Sequence, residues 1–397
     1  MRILVLAPQP FFQERGTPIA VRLFLEVLGQ AGHHLELLTY HEGDNVDLPG
    51  VVIHRIPVLW GTKGVRPGFS AKKLICDAAM AVKALKLVRR KDFDMVHAVE
   101  EAAFIAWVLK ILYGLPYVYD MDSSLATQVL DKFPWLGPAA GFLHWAEGQA
   151  LSHSQGVLAV CHSLRDRARK YASRVPVACL EDTSLLGGGV NRSTPGELES
   201  LDGVKVMYVG NLESYQGIDL LLRGFGLALR QIPRLRLVVI GGVETHIAKY
   251  RGMAAELGVA GRVSFLGPRP AGELGVYLQA ADILVSPRIA GDNTPMKIFS
   301  YLDSGKPLLA TRLATHTQVL DDKVAMLVEP EPADLARGLT ALASDPDLGQ
   351  ELGRQGRRRV RLRYSREAYG RKLNSFYAAM ARALGQRRQA GGAPRAH

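Results

Sequence analysis

The chain has 397 residues, of which 48% are hydrophobic and 22% are charged, so it is a globular protein too long for one ordinary core. No apolar run approaches the ~18 residues of a spanning helix, which excludes a chain embedded in a membrane. The net charge of +11 comes from one end, because residues 351–397 hold thirteen Lys/Arg against two Glu.

Apolar runs alternate with helical patterns through the first half. The run Ile3–Ala7 ends at Pro8, so it is a buried strand and not a signal peptide. The predicted strands are Arg2–Ala7, His34–Tyr40, Val51–Ile56, Met95–Ala98, Tyr117–Asp120 and Gly156–Cys161. The predicted helices between them include Pro18–Ala31, Ala71–Arg90, Glu100–Tyr113 and Ala139–Ser154. Such alternation predicts a parallel, doubly wound sheet.

Two patterns bear on metal chemistry. The three cysteines lack metal-ligand spacing, which favours a reducing cytoplasm and no zinc. Asp120 and Asp122 are two residues apart at a strand end, so a divalent ion could bridge their carboxylates. A three-residue pattern is weak evidence. We favour the alternative, in which Asp120 caps a turn, Asp122 orients an acceptor or sugar hydroxyl, and no metal binds.

A second series of strands follows an aperiodic stretch, Ser184–Val204, which is rich in Gly and Ser and is the predicted linker. The predicted strands are Val204–Val209, Leu235–Ile240, Val263–Leu266, Ile283–Ser286, Pro307–Ala310 and Ala325–Val328. Helical patterns again separate them, so we predict a second doubly wound α/β domain.

The segment Gly291–Thr311 predicts a loop, a helix and a buried strand, with polar groups at the start of the helix. Asn293 or Thr294 can cap this helix, and Pro295 suits its first turn, where no amide donor is needed. A helix N-terminus with free amides and Lys297 just inside it is a candidate anion site. The alternative is an ordinary helix–strand unit with a surface lysine.

The last part of the chain combines a helical pattern, Ser365–Leu384, with strong positive charge. Its arginines would attract an anionic membrane surface or another polyanion, at about 1 kcal/mol per basic side chain near an acidic membrane. The alternative is a solvated helical face followed by a disordered basic tail over residues 386–397. No aromatic residues are interleaved with the arginines, so we predict no nucleic-acid partner.

The motifs of the second half resemble, in order and spacing, the nucleotide-sugar-binding half of family 4 glycosyltransferases. They are MYVGNLESYQGIDLLLRGF (Met207–Phe225), LRLVVIGG (Leu235–Gly242), RVSFLG (Arg262–Gly267), ADILVSP (Ala281–Pro287) and the Gly291–Thr311 segment. In the first half, RGTPIAVRLFLEVLGQAGHHLELLT is similar to the family's glycine loop, helix and second strand. DMVHAVEEAAF and LPYVYDMD are similar to its fourth and fifth strands.

The resemblance implies the GT-B fold, in which two tandem Rossmann-like, doubly wound parallel-sheet domains have a ligand cleft between them. We expect an acceptor-side domain over residues 1–190 and a nucleotide-sugar-binding domain over residues 191–364. The helix at about 365–385 would pack back on the first domain.

The resemblance also implies roles for individual residues. The donor diphosphate would approach the backbone of Gly16, where no Cβ stands in the way. Asp292 and Ser300 fall at two family glutamates that contact the donor sugar and the ribose. Asp122 falls at the family's histidine after the fifth strand. We predict Asp122 and Asp292 as catalytic residues. The predicted donor-binding residues are Gly16, Asn211, Gln216, Asn293, Thr294, Lys297 and Ser300.

Asn211 and Gln216 fall where the family has an Arg and a Lys that neutralise the diphosphate. Both can donate amide hydrogens, but neither supplies charge. A buried anion needs compensation, so we expect the helix amides and Lys297 to provide it, with Arg288 or Arg15 as further candidates.

We therefore predict a retaining, hexosyltransferase-type enzyme that moves a sugar from a nucleotide-diphosphate sugar to an acceptor hydroxyl. The acceptor would be a glycolipid, a lipid-linked saccharide or a polysaccharide precursor of the cell envelope. No cofactor is expected, because in this family the leaving diphosphate oxygen deprotonates the acceptor. The alternatives are a non-catalytic nucleotide-sugar-binding protein and a sugar-nucleotide epimerase. We expect a cytoplasmic protein. A peripheral location at the inner face of the cytoplasmic membrane is a further hypothesis.

Overall fold

The structure is a computed structural model that describes residues 1–13, 16–65, 70–186 and 195–390. Contacts divide the chain into two compact units, Met1–Glu181 with Gly370–His397, and Asp182–Tyr369. The first unit is therefore discontinuous in sequence, and the second is inserted into it. The boundaries expected at residues 190 and 364 lie close to these positions. Part of the predicted linker, residues 187–194, lies outside the described residues.

The first unit contains a parallel sheet whose strand order is β3-β2-β1-β4-β5-β6-β7. The strands are β1 Arg2–Ala7, β2 His34–Thr39, β3 Val51–Arg55, β4 Met95–Val99, β5 Tyr117–Met121, β6 Gly156–Ala159 and β7 Val177–Cys179. The central strands are apolar on both faces because helices cover both, and residues 3–7 of β1 have no exposed surface. The three-residue strand β7 was not predicted, since it is too short to show a pattern.

Helices alternate with these strands. They are α1 Gly16–Gln30, α2 Ala71–Arg90, α3 Ala102–Tyr113, α4 Leu125–Lys132, α5 Ala140–Ser152 and α6 His162–Tyr171. The buried side chain of Glu147 on α5 holds the start of α4, because its carboxylate accepts from the Leu125 amide (2.7 Å) and the Ser124 hydroxyl (2.9 Å). This contact fixes the loop that follows β5.

The second unit contains a parallel sheet of order β10-β9-β8-β11-β12-β13. The strands are β8 Val204–Val209, β9 Leu235–Ile240, β10 Val263–Gly267, β11 Ile283–Ser286, β12 Leu308–Thr311 and β13 Met326–Val328. Its helices are α7 Gly196–Glu199, α8 Ile218–Gln231, α9 Glu244–Glu256, α10 Leu274–Ala280, α11 Lys297–Ser304, α12 Ala314–Thr317, α13 Pro332–Ser344 and α14 Pro346–Arg363. The two predicted doubly wound sheets are confirmed.

The C-terminal helix α15, Arg366–Ala390, returns to the first unit from Gly370 onward. Leu373 and Tyr377 are fully buried there, and the Lys372 ammonium lies 2.6 Å from the Glu181 carboxylate. Residues 386–390 are helical where the sequence predicted the start of a disordered tail, because no glycine or proline interrupts them before Gly391. In the part of the chain that the structure describes, none of the helices combines the length and the apolar character needed to cross a bilayer.

Glycines let α14 pack closely against the end of α11. An added Cβ at Gly353 would lie 2.0 Å from the Gly305 carbonyl oxygen, and one at Gly356 would lie 2.8 Å from Leu302. At Gly349 the corresponding neighbour is Pro307, at 3.3 Å. These positions recur at helical spacing, so one face of α14 packs closely against the end of α11 and the residues that follow it, with Gly353 directly on backbone. The arginines on α14 are thereby held at a fixed distance from the sheet.

We expect Gly353→Ala to lower the free energy of unfolding by about 2 kcal/mol or more, because the new methyl group meets backbone that cannot rotate away. Gly252→Ala on α9 is the matched control, since nothing lies within 4 Å of an added Cβ there. It should raise stability by about 0.5–1 kcal/mol. Urea unfolding followed by circular dichroism measures both, and equal effects of the two changes would contradict the close packing of α14.

Candidate functional site

The candidate site in the second unit lies where the strand order of the sheet reverses. β8 is the first strand of this sheet, with β9 on one side and β11 on the other. Doubly wound sheets bind ligands beside the carboxyl ends of the strands at such a position. β8 ends at Val209 and β11 at Ser286, so residues 210–217 and 287–297 flank the expected ligand position.

Arg288, which follows β11, is a buried cation that forms no ion pair with any described residue; its exposed fraction is 7%. Its guanidinium donates to the backbone carbonyls of Ala290 (2.8 Å) and Asn293 (2.9 Å) and lies 5.0 Å from the Tyr215 ring centroid. Burial lowers the pKa of Arg288. An arginine that donates its hydrogen bonds only to neutral groups and forms no ion pair favours an anionic ligand.

Lys297 is the second cation of this site. Its ammonium donates to the Gln216 side-chain oxygen (3.1 Å) and lies 3.9 Å from the Tyr208 ring centroid. Within the described residues no carboxylate forms an ion pair with it. Burial of the ammonium and then the charge of Arg288 hold the pKa of Lys297 well below its usual range. A negative ligand beside the ammonium would raise the pKa of Lys297 again.

The start of α11 differs from the prediction. The helix begins at Lys297, Met296 occupies the cap position, and no side chain caps it. The amides of Ile298 and Phe299 already donate to the carbonyls of Pro295 (3.0 Å) and Met296 (3.2 Å). The predicted capping by Asn293 or Thr294 is therefore wrong, because the Asn293 side-chain oxygen accepts from Arg288 at 3.3 Å. Fewer amides are free for an anion than the sequence suggested.

Thr294 has a buried side-chain hydroxyl that lacks a hydrogen-bond partner among the described residues. The exposed fraction of Thr294 is 5%. Leaving such a group unpaired costs about 1–3 kcal/mol, so a ligand or water that binds it gains a favourable contact. Thr294 lies three residues before Lys297, in the segment that joins the two cations of the site.

Ser300 and Asp292 lie in different environments. Ser300 is fully buried, and its Oγ accepts a hydrogen bond from the Leu185 amide (3.0 Å). That contact ties the chain entering the unit to α11. Asp292 is exposed, its backbone carbonyl accepts from Gln318 (3.0 Å), and its carboxylate raises the pKa of nearby Arg288 against the lowering by burial. The structure therefore leaves only Asp292 of this pair at the surface.

Asn211 and Gln216 contribute through different atoms. Asn211 is exposed, and its carbonyl accepts from the Tyr208 hydroxyl (2.6 Å). Gln216 is buried and uses its side-chain oxygen to hold Lys297. The structure thus brings Gln216, Asn293 and Lys297 together around Arg288. Tyr208 and Tyr215 had no predicted role, because a tyrosine at a strand end or in a turn has no distinctive sequence pattern.

A buried histidine supports the backbone of this site. His316 lies between the fully buried hydroxyls of Ser286 and Thr311, with its Nε2 2.9 Å from the first and its Nδ1 2.8 Å from the Thr311 carbonyl. The Nδ1 proton therefore goes to the carbonyl, and Nε2 accepts from Ser286. Thr311 Oγ1 in turn donates to the Arg288 carbonyl (2.5 Å). Burial lowers the pKa of His316 to about 4, so the ring is neutral.

In the first unit, two predicted residues lie at the ends of secondary structure. Gly16 is the exposed first residue of α1, and nothing lies within 4 Å of an added Cβ. Asp122 directly follows β5 and is partly buried. The loops after β4 and β5 are joined beside it, because the Ser123 hydroxyl donates to the Glu100 carboxylate (3.2 Å). The candidate cation Arg15 lies outside the described residues.

Asp120 does not act as the predicted turn cap. Its carboxylate lies 3.1 Å from His97 Nε2, and the Tyr377 hydroxyl lies 2.8 Å from His97 Nδ1. Phe24 stacks on the same imidazole at a centroid distance of 3.9 Å. Asp120 is therefore part of a contact that ties α15 to β4 and β5, and its partner in the DxD pattern, Asp122, lies beyond the end of the strand.

An apolar cavity of about 400 Å³ lies among α2, α3, α4 and α5. Its wall includes Leu125 and Ala126, which follow closely after Asp122. Its charged lining includes Lys73, whose ammonium lies 2.5 Å from the Glu101 carboxylate, and Asp77. Burial raises the pKa of Asp77 to about 6 and also raises that of Glu101. Sequence patterns did not reveal this cavity, because its lining comes from four helices.

His162, Cys179 and Glu181 could hold a metal ion, since their ligand atoms all lie within 4.8 Å of one another. The three residues come from α6, β7 and the segment after β7, so no spacing in the sequence indicated the cluster. Glu181 also accepts from Lys372. An ammonium already satisfies part of that carboxylate, and burial raises the pKa of the Cys179 thiol above its usual range. The cluster lies apart from Asp122 in the sheet order, at β6 and β7.

Two protein-family models match the chain. Residues 15–180 match the model described as "Glycosyl transferase 4-like domain", and residues 193–359 match "Glycosyl transferases group 1". Two relatives match over most of their length. The D-inositol 3-phosphate glycosyltransferase of Corynebacterium efficiens is 27% identical over 76% of this chain and 75% of its own. The phosphatidyl-myo-inositol mannosyltransferase of Mycolicibacterium smegmatis is 24% identical over 88% of this chain and 86% of its own.

The fold has a solved counterpart in HepE of Anabaena, determined in complex with UDP-glucose. The TM-score is 0.72 at 13% sequence identity, over 96% of this chain and all of the other. Such low identity bears on the fold alone, and it agrees with the two parallel sheets described above.

We expect His316 to make the protein less stable as the pH falls from about 6.5 to about 4. The unfolded chain binds the proton more readily than the buried ring, so acid favours unfolding by up to about 3 kcal/mol. His316→Gln should remove this part of the pH dependence, whereas the control His246→Gln, on the partly exposed surface of α9, should retain it. Urea unfolding at several pH values tests this, and identical profiles for all three proteins would contradict it.

Proposed function

Because the chain belongs to the family 4-type glycosyltransferases with the GT-B fold, we propose that it transfers a sugar from a nucleotide-diphosphate sugar to an acceptor hydroxyl with retention of configuration. The observation that supports this most strongly is the pair Arg288 and Lys297. Arg288 is buried and Lys297 half-buried, neither forms an ion pair with a described carboxylate, and both lie where a doubly wound sheet binds its ligand. A diphosphate supplies the charge they lack.

The donor-site residues have distinct roles in this proposal. Lys297 and Arg288 stabilise the negative charge that develops on the leaving diphosphate. Gln216 holds the Lys297 ammonium, and Tyr208 supports it from the other side. The Thr294 hydroxyl donates to the ligand. Ser300 acts on the protein itself through Leu185, so Asp292 is the remaining candidate for a contact with the donor sugar.

The reaction needs positioning more than a protein nucleophile. The bond from the anomeric carbon to the diphosphate breaks, and the acceptor oxygen bonds to the same face of that carbon. The acceptor proton goes to the departing diphosphate oxygen. The protein therefore orients both substrates and stabilises the leaving charge, and neither task requires a metal.

We assign the acceptor to the first unit, beside Gly16 and Asp122. Asp122 lies at a loop fixed by Glu100 and Glu147, so its carboxylate can orient a hydroxyl. The relatives named above act, according to their names, on inositol phosphate and phosphatidylinositol. An acceptor that joins a polyol to phosphate or to a lipid is the class we propose here.

A second candidate function is nucleotide-sugar binding without transfer. The observation in its favour is that Ser300 and Gln216, at two positions where the family places charged residues, are occupied by contacts within the protein. Both functions require the same donor site. They differ only in whether a bound donor is consumed.

Lys297→Met should weaken donor binding by about tenfold to a hundredfold, the equivalent of ~1.5–3 kcal/mol for a lost bond to a charged group. Calorimetry with UDP-glucose and a GDP-sugar measures the donor affinity of both proteins.

Lys249→Met is the control, because Lys249 also lies over a tyrosine ring, at 4.7 Å from the Tyr250 centroid, outside the site. Undiminished donor affinity in Lys297→Met would count against the assigned site. Donor binding without hydrolysis or transfer to inositol phosphate or phosphatidylinositol would favour the binding protein.

Transfer should continue in excess EDTA, because Arg288 and Lys297 supply the positive charge at the leaving group. The measurement is sugar transfer before and after chelation, and again after Mg²⁺ or Mn²⁺ has been added back. Loss of transfer that either ion restores would show that a metal takes over the role given to these two residues.

A further inference from the structure

A broad groove of about 960 Å³ lies at the amino-terminal edge of the sheet in the second unit. Val204 and Ile283, the first residues of β8 and β11, line it together with Pro307, which precedes β12. Arg288 and Lys297 follow the carboxyl end of β11. Because the strands are parallel, the groove is at the opposite edge of the sheet from the proposed donor site. The proposed function therefore does not account for it.

Six basic side chains line this groove. Four come from α14, and the other two come from the turns before β9 and β12: Arg354, Arg357, Arg358, Arg361, Arg234 and Lys306. Arg357 and Arg358 are each three or four residues from both Arg354 and Arg361, so the four side chains lie along one side of the helix. The close packing of Gly353 on Gly305 holds that face beside the strand ends. The fold thus turns a basic run in the sequence into one wall of a concave surface.

The positive charge in the groove is largely uncompensated. Asp282 is the one carboxylate in the described lining, and it accepts a hydrogen bond from the Lys205 amide (2.7 Å). Arg354 is paired with Glu351. The other five basic side chains form no ion pair or side-chain hydrogen bond with the described residues. Burial lowers the pKa of Lys306, the Asp282 carboxylate raises it in part, and a bound anion would raise it further.

Two other arginines of α14 lie outside the groove and serve as a comparison: one is structural and the other is solvated. Arg359, on the same helix, is bonded to the Asp321 carboxylate (2.8 Å) and the Val319 carbonyl (3.0 Å) and points away from the groove. Arg363 is exposed and does not line it. Arg357, Arg358 and Arg361 differ from both, because they line one common groove.

We propose that this groove binds the phosphate groups of a multiply phosphorylated ligand. Guanidinium groups match phosphate oxygens with paired hydrogen bonds, and several of them around one cavity favour several phosphates. No aromatic side chain is among the described lining residues, so the stacking platform of a single-stranded nucleic-acid site is missing. The volume is within the range of small-molecule sites.

The phosphates can come from two sources, a soluble polyphosphate or a lipid headgroup. Leu362 lies at the groove with 64% of its surface exposed, next to Arg361, so an apolar group is available beside the charges. The phosphate chemistry is the same in both cases, and the experiment separates them with one soluble probe and one vesicle probe.

The test uses the double variant Arg357→Gln/Arg361→Gln, which removes two charges from the groove. Arg363→Gln is the first control, because it removes one charge of the same helix outside the groove. Arg359→Lys is the second control, because it keeps the charge of a structural arginine. Calorimetry measures binding of inorganic tripolyphosphate, and flotation measures binding to phosphatidylcholine vesicles with and without phosphatidylinositol bisphosphate, whose headgroup carries several phosphates. We expect the groove variant to weaken binding of at least one probe by about tenfold or more and the Arg363 variant by less than about twofold.

The two probes distinguish a soluble ligand from a lipid. Binding of tripolyphosphate alone assigns a soluble ligand, and binding of acidic vesicles alone assigns a lipid headgroup. Equal losses in the groove and Arg363 variants, competition by polyglutamate as effective as that by tripolyphosphate, or no binding of either probe would overturn the proposal. Lys297→Met identifies any tripolyphosphate bound at the donor site, and donor binding by the groove variant should be unchanged, so the two proposals can fail separately.

Discussion

The second unit depends on a charge that the protein itself does not neutralise. The Lys297 ammonium is held by an amide oxygen and an aromatic ring, and the neighbouring Arg288 guanidinium meets carbonyls and another ring. Neutral partners fix the position of each cation while leaving its field available to a ligand. A carboxylate in either place would have stabilised the empty protein and weakened its attraction for a diphosphate. The elements around the site support this arrangement, since Thr311 and His316 fix the Arg288 backbone from behind.

Sequence reasoning found the parts of this design that repeat along the chain. Both parallel sheets followed from short apolar runs such as Ile3–Ala7, and Lys297 followed from its place near a helix start. The reasoning failed where the outcome depended on competition between partners in space. Asn293 is a good capping residue in isolation, but Arg288 takes its side-chain oxygen. Ser300 could have faced a ligand, but the Leu185 amide occupies it.

The distribution of positive charge is likewise only partly predictable from the sequence. Counting residues located the basic end, but it could not tell a solvated arginine from one that faces a cavity. Packing decides that, because glycines on one side of α14 bring Arg357 and its neighbours over the strand ends, while Arg359 on another side meets Asp321. The sequence pattern predicts that a helix is basic, whereas tertiary contacts determine whether each arginine forms an ion pair, lines a groove or is solvated.

The discontinuity of the first unit has a consequence for how the protein is made. Its sheet is complete once Cys179 has been translated, but the helix that covers His97 and Gly156 comes after the inserted unit. The inserted unit, which ends at Tyr369, leaves the ribosome before Leu373 and Tyr377 can fill their buried places. Chain order therefore delays closure of the amino-terminal half until this helix has been translated, and a nascent chain stalled near residue 370 would expose apolar surface to chaperones.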